Sequence, residues 1–280
     1  MRQDYFTKNK DEIKSIAKET EFYSLVELRE LFTVLKDKQL ISQSMVFGKF
    51  YDQLVGIGLL SYSVLINDKY LTRYSFYSNV SDVKLVLSLR KKSFLSMSSS
   101  LNYQGLSMYR DSFIFVSQEQ SPKESYSKGN LTQEAIDKAF SKDYRRTHKV
   151  GEYNNRNIIF LDPKNTQEFA IIEVSGVRVS SINRALVEMV INVQYFRNSK
   201  ELISVFREIK ESIDIDEVFN VIEHFDLIYP YYQCVGYILE EVGFTKQELM
   251  KFKKNISKFD FYTDKNQEKY KYISYWKMYV

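Results

Sequence analysis

The chain has 280 residues, a formal net charge of +4, 44% hydrophobic residues and 15% aromatics, enough to build one large or two ordinary domains with substantial cores. Such mild basicity neither demands nor excludes a nucleic-acid partner. The single cysteine, Cys234, rules out an internal disulfide and reads as a small buried hydrophobe, while the polar start Met1-Arg-Gln-Asp-Tyr5 and the lack of a long apolar run point to a cytoplasmic protein with no membrane partner.

The first elements read as three helices and a hairpin. A helix over about Lys10 to Glu19 has Ile13, Ile16 and Ala17 on its inner face. Ser24-Leu-Val-Glu27 is a capping box, in which hydroxyl and carboxylate satisfy free amides of a helix start, and Leu25, Leu28, Leu31, Phe32 and Leu35 form the stripe that follows. Ser42 is placed to cap a third helix reaching Ile57, with Met45, Phe50, Leu54 and Ile57 on one face. The opposite face then carries Gln43, Ser44, Phe47, Lys49, Tyr51 and Gln53, and amide side chains on an exposed helix are what base edges in a major groove accept. Strands over Leu59 to Ile66 and Tyr70 to Phe76 flank the turn Asn67-Asp68-Lys69, from which Lys69 and Arg73 are positioned to touch phosphate. This order predicts a winged helix-turn-helix DNA-binding domain over residues 1–90. A small α+β packing unit with no nucleic-acid role is the alternative.

A short helix marked by Val83, Val86, Leu87 and Leu89 closes in Arg90-Lys91-Lys92, a solvated helix end that could also contact phosphate. Beyond it the sequence predicts a larger α+β domain over 91–280 with a helical C-terminal half, so the fold class is α+β. A helix over Met97 to Gln104 is stopped by Gly105 and followed by a strand over Ser112 to Ser117. A Ser-, Lys- and Glu-rich connection runs from Glu119 to Asn130, Thr132 caps a helix to Phe140, and Arg145, Arg146, His148 and Lys149 form a basic patch. Asn157 to Leu161 and Phe169 to Val174 read as strands. From Ser181 onward four apolar stripes follow, through Leu186, through Leu202, through Val218 and through Val235, and Thr245-Lys-Gln-Glu248 is a capping box for a fifth helix.

Catalytic chemistry finds no foothold. His148, His224 and Cys234 lack metal-ligand spacing, and no phosphate-cradling glycine loop or Gly-x-Ser-x-Gly turn is present. Asp214-Ile-Asp216 has the spacing of a magnesium pair, but Asp214 with Glu217 reads as a helix cap. No enzyme, cofactor or metal is therefore expected. The aromatics Tyr229, Tyr231 and Tyr232, and Tyr270 to Tyr279 with Trp276, serve either as packing or as anchors of a protein interface.

With the elements in order, the chain resembles the AbiEi family of antitoxins and transcriptional regulators from abortive-infection toxin-antitoxin systems. The likeness rests on the N-terminal layout, on Ser93-Phe-Leu-Ser-Met-Ser-Ser-Ser-Leu-Asn-Tyr-Gln-Gly-Leu106, and on Ile182-Asn-Arg-Ala-Leu-Val-Glu188 followed by Cys234-Val-Gly-Tyr-Ile-Leu-Glu-Glu-Val-Gly243. Departures stand at Ala185-Leu-Val-Glu188, where the family has Thr-Leu-x-Asp, at Tyr195-Phe-Arg-Asn198, and at Cys234, where Arg is frequent. The resemblance implies a repressor that binds inverted repeats in its own operator, cooperatively or as a dimer, and counteracts a nucleotidyltransferase-like AbiEii toxin without a required stable complex. A non-enzymatic interaction scaffold, using the same N-terminal layout for protein contacts, is the other function consistent with the residues.

Overall fold

A computed structural model describes residues 4–107, 113–122, 131–265 and 269–280. In chain order the elements are α1 (Tyr5–Ala17), α2 (Leu25–Asp37), α3 (Phe47–Gly56), β1 (Leu60–Ile66), β2 (Lys69–Ser75), α4 (Asp82–Ser88), β3 (Phe94–Leu95), α5 (Met97–Tyr103), β4 (Phe113–Ser117), α6 (Gln133–Phe140), β5 (Val150–Tyr153) and β6 (Arg156–Leu161). There follow β7 (Ile171–Val174), β8 (Val177–Ser180), α7 (Ile182–Ile191), α8 (Ser199–Glu208), α9 (Ile215–Phe225), α10 (Tyr231–Val242), α11 (Met250–Lys254), β9 (Phe261–Tyr262), β10 (Tyr272–Ile273) and β11 (Met278–Tyr279). The fold is mixed α+β. Among the described residues no helix is long and apolar enough to cross a membrane.

The chain forms two compact units, the first of Met1–Lys91 with Val150–Asn157 and the second of Lys92–Lys149 with Ile158–Val280. The change of unit lies between Lys91 and Lys92. The return of Val150–Asn157 to the first unit corrects a simple division at residue 90, and its cause is backbone chemistry. Strand β1 pairs with β2 along one edge, which leaves its other edge unpaired, and β5 fills that edge through Leu65↔Glu152 and Ile66↔Gly151. Unpaired strand edges are a liability that short added strands remove.

In the first unit Phe6, Ile13, Leu28, Leu31, Leu35, Phe50 and Leu54 make one apolar core beneath α1, α2 and α3. Helix α1 begins earlier than its periodicity suggests, because Asp4 accepts from the Thr7 amide (2.8 Å) and caps it. The Ser24 and Glu27 capping box is formed in both directions. Helix α2 stops where Gln39 turns left-handed (φ 56°), its N–H reaching the Lys36 carbonyl while that of Leu40 reaches Leu35, which satisfies carbonyls the helix would otherwise leave open.

The second unit contains a mixed sheet ordered β6-β4-β3-β8-β7, in which β3 runs antiparallel to β4 and parallel to β8, and a three-stranded sheet ordered β10-β11-β9. Helix α7 is the hub: residues 183–190 are all buried, and α5, α8, α9 and α10 pack around it. Arg184, fully buried, donates from Nε to Glu188 (2.8 Å), from Nη2 to Glu119 (2.9 Å) and from Nη1 to Thr166 (3.0 Å) and the Phe169 carbonyl. Its guanidinium lies 5.0 Å and 5.2 Å from the Phe94 and Phe225 ring centres. Glu188 is completed by Ser180 (2.8 Å) and by the Met97 amide (3.2 Å), so a charged cluster is tolerated because its donors and acceptors are matched.

The aromatic segments pack inward: Phe261 and Trp276 are buried in this core, with Tyr229, Tyr231, Tyr232 and Tyr275 against it. Asp214 accepts from the Asp216 and Glu217 amides and caps α9. The Thr245 and Glu248 capping bonds also form, but they close a turn, and α11 begins only at Met250.

Candidate nucleic-acid interface

The structure places the expected recognition residues in three different settings. Helix α3 begins at Phe47, after Val46, rather than at Ser42. Ser42 is spent locally, its Oγ accepting from the Ser44 amide (3.3 Å) and pairing with the Ser44 hydroxyl (2.8 Å). Gln43 is clamped to the end of α2: its Nε2 donates to the Lys36 carbonyl (2.8 Å) and its own carbonyl accepts from Lys36 Nζ (2.9 Å). Short polar side chains compete with helix amides in this way. Gln43 and Ser44 are exposed, but on the turn between helices, which corrects their placement on the helix face.

Phe47 and Tyr51 are also corrected. Both are half-buried against the first unit's core. Phe47 meets Phe32 edge-on (5.7 Å between ring centres) and carries the Arg29 guanidinium 4.3 Å from its ring centre, and Tyr51 meets Tyr74 edge-on at 5.7 Å. Burial and the neighbouring Tyr74 push the Tyr51 phenol up. Aromatic mass thus joined the core stripe rather than the opposite face.

Gln53 donates to the Asp4 carboxylate (3.0 Å). Lys49 stands 3.9 Å from the same carboxylate, with 60% of its side chain exposed. An ion pair that long and that exposed holds little energy, so Lys49 is available to an outside anion. The Thr7 amide, with Gln53 and Lys49 adding to it, holds the Asp4 carboxyl below its ordinary range. What α3 presents to solvent is Gly48, Lys49, Asp52, Val55 and Gly56. A Cβ added at Gly48 or Gly56 would meet nothing within 4 Å, so nothing within the described fold requires glycine there.

At the hairpin tip Asn67 and Asp68 are both left-handed (φ 45° and 61°), the backbone of a type I′ turn whose twist matches the strands. Lys69 and Tyr70 follow, both exposed. Arg73 does not join them. It is half-buried, and its guanidinium donates to the Ser88 carbonyl (2.9 and 3.0 Å), the Leu89 carbonyl (3.0 Å) and Thr72 O (3.1 Å). It closes the C-terminal end of α4, where a cation also meets the negative end of the helix dipole. Lys91 and Lys92 are exposed and Arg90 is half-buried. Burial pushes the Glu27 carboxyl up, but its bonds with Ser24, helped by the charges of Arg73 and Lys91, bring it below its ordinary range.

Sequence reasoning missed Asp4 and Arg29. The spacing Asp4-x-x-Thr7 is a capping signal that could have revealed the first; Arg29 gave none, because its importance comes from Phe47 across the turn.

No family model matches the chain, and no curated protein matches it. Among solved structures, the fold is similar to that in the crystal structure of RV2827C protein from Mycobacterium tuberculosis, with a TM-score of 0.56 and 9% sequence identity over 98% of this chain and 91% of that one, a likeness of fold alone.

Proposed function

We propose that the protein is a DNA-binding repressor of its own operon, of the AbiEi kind, whose first unit acts as a winged helix. The observation that carries this reading is the succession of α2, α3 and the β1–β2 hairpin around one core, with α3 keeping a solvent-facing surface and Lys69 standing at the hairpin tip. In the proposed docking the exposed face of α3 enters the major groove, Lys49 and Lys69 meet phosphates, and Gln43 and Ser44 approach from the preceding turn. Gln53 and Arg73 hold the unit's own backbone and side chains. The two glycines let a groove wall come close to the helix. With few cations in this set, affinity depends on two copies binding an inverted repeat and falls with salt as counterions are released.

The antitoxin half of the proposal rests on the likeness of three segments to the AbiEi motifs. They form β3 with α5, α7, and α10, and Arg184 and Glu188 of the second motif are joined in the buried cluster. The proposed functional partner is a nucleotidyltransferase-like toxin.

One observation favours a protein-binding scaffold instead: Val26, Val46, Val55 and Tyr70 are 64%, 66%, 48% and 70% exposed on the first unit. Fluorescence anisotropy of the full chain, against DNA upstream of its own gene and a scrambled duplex over a range of salt, separates the readings. Selective, salt-sensitive binding supports the repressor. Equal binding to both duplexes, or none, overturns it in favour of the scaffold.

A further inference from the structure

The second unit contains a cavity of about 200 Å³ that the repressor reading does not use. Its walls include Phe140, Tyr144, Tyr229, Tyr231, Phe261 and Tyr262. The Phe140 and Tyr262 rings lie nearly parallel with centres 5.1 Å apart, and Phe261 stands edge-on to Phe140 at 4.9 Å. Arg145 and Lys265 also line the cavity, with Arg145 exposed and Lys265 half-buried. The Lys265 ammonium sits 5.7 Å and 5.5 Å from the Phe140 and Tyr144 ring centres. Among the described residues neither cation is in an ion pair. Burial first, then the like charges of Arg145 and Lys142 against the opposing Asp143, hold the Lys265 ammonium below its ordinary range. Cations gathered at an aromatic cavity without a paired carboxylate favour an incoming anion.

A third feature points to a ligand with a polar edge. Thr263 lines the cavity, is 4% exposed, and its Oγ1 has no hydrogen-bond partner among the described residues. Buried hydroxyls are nearly always partnered, so one that is not calls for an explanation. Gln194 lines the same space. An apolar ring would leave Thr263 unanswered; a heteroaromatic ring would not.

We propose that this cavity binds a 5′-nucleotide, with the base among the aromatic rings, a ring heteroatom or exocyclic group at Thr263, and the phosphate at Arg145 and Lys265. Size supports the division. A cavity of about 150 Å³ holds one benzene ring, so one of 200 Å³ takes a base and leaves ribose and phosphate at the mouth. Ring stacking accepts any base, and the anion sets the orientation. The nucleotide is either free or at the 5′ end of a strand.

The test is calorimetric titration of the full chain with AMP, adenosine, ribose 5-phosphate and a 5′-phosphorylated pentadeoxyadenylate. AMP is expected to bind, with adenosine and ribose 5-phosphate each at least about tenfold weaker, one lacking the charge and the other the ring. Tighter binding of the pentanucleotide than of AMP assigns the site to strand ends, and the reverse to free nucleotide. Arg145→Ala and Lys265→Ala are expected to bring AMP down to the adenosine level without changing the melting temperature. Thr263→Val should weaken AMP several-fold while the unliganded protein melts no lower. Absence of saturation by AMP, GMP, CMP and UMP up to roughly 1 mM, or AMP binding indifferent to both cation replacements, overturns the proposal.

Discussion

Gly236 on α10 lies flat against the Trp276 indole, so near that a Cβ on the glycine would stand 2.4 Å from Cζ3 and 2.6 Å from Cη2. Trp276 is wholly buried and its Nε1 donates to Glu240, so the ring cannot step aside without losing a hydrogen bond. Gly236→Ala is expected to destabilise the protein by about 1–3 kcal/mol through overpacking, read as a lower urea midpoint at unchanged slope. Adding Trp276→Phe, which frees space, should recover part of that loss, whereas the single Trp276→Phe loses stability on its own. A wild-type midpoint for Gly236→Ala would show that the indole does not sit there.

Arg184 is expected to be the most sensitive position of the second unit. Arg184→Met leaves Glu119 and Glu188, with side chains 5% and 6% exposed, without their common cation, and loss of one partner from a buried charged cluster costs about 3–5 kcal/mol. Circular dichroism during denaturation reads this directly. A loss below about 1 kcal/mol, the range of exposed pairs, would refute the cluster's role.

The same cluster sets an acid limit. Burial pushes the Glu119 carboxyl up, but hydrogen bonds from Thr166, from the Glu168 amide and from Arg184 outweigh it, and the net direction is down. A carboxyl depressed in the folded state contributes stability above its unfolded pKa, about 4.3, and that contribution disappears as pH falls through the folded value. Stability measured from pH 7 to pH 3 should therefore decline below about pH 4.5. Glu119→Gln should be less stable at pH 7 and decline less steeply; an unchanged acid slope would remove Glu119 from the account.

Lys69 and Arg73 are expected to fail differently. Lys69→Ala should leave the melting curve unchanged, weaken DNA binding about equally for all sequences, and reduce the salt slope by about one. Arg73→Ala takes donors from the Ser88 and Leu89 carbonyls and should cost about 1.5–3 kcal/mol of stability. Thermal denaturation alongside anisotropy at two salt concentrations separates them. If Arg73→Ala melted normally and only DNA binding fell, Arg73 would be a wing residue after all.

Gly48→Ala offers a test with opposite signs. The methyl group meets nothing in the fold, and alanine suits a helix better than glycine by up to about 1 kcal/mol, so the protein should become more stable. If α3 lies in a groove, the same methyl group should weaken operator binding. A variant that is both more stable and binds normally would take the helix out of the groove.

Much of this architecture is legible in the residues because local signals agree with it. Ser24 with Glu27, Asp214 with Glu217, Gly105 and Gly243, and the turn at Asn67-Asp68 each do their work within a few residues of chain. The candidate interface is less legible because its geometry is set across distance. Nothing in Gln43 announces Lys36 as its partner, and Arg73 reads like any exposed strand cation until α4 arrives beneath it. Phe47 and Tyr51 mislead for a different reason: helical periodicity assigns each residue to one of two faces, whereas aromatic rings at the boundary swing toward the core. The Arg184 cluster draws on Glu119, Thr166, Phe169 and Glu188, separations that no motif spans.

The return of Val150–Asn157 to the first unit has a temporal side. A ribosome releases the sequence in order, so α1 to α4 can emerge and collapse while the outer edge of β1 still has no strand beside it. At roughly 5–20 residues per second the missing strand follows only after several seconds. Throughout that interval the nascent N-terminal unit carries an open sheet edge, able to pair with a neighbouring copy on the same messenger. A shortened gene product ending before residue 150 would keep that edge for good, and is expected to aggregate rather than to act as a small independent DNA-binding fragment.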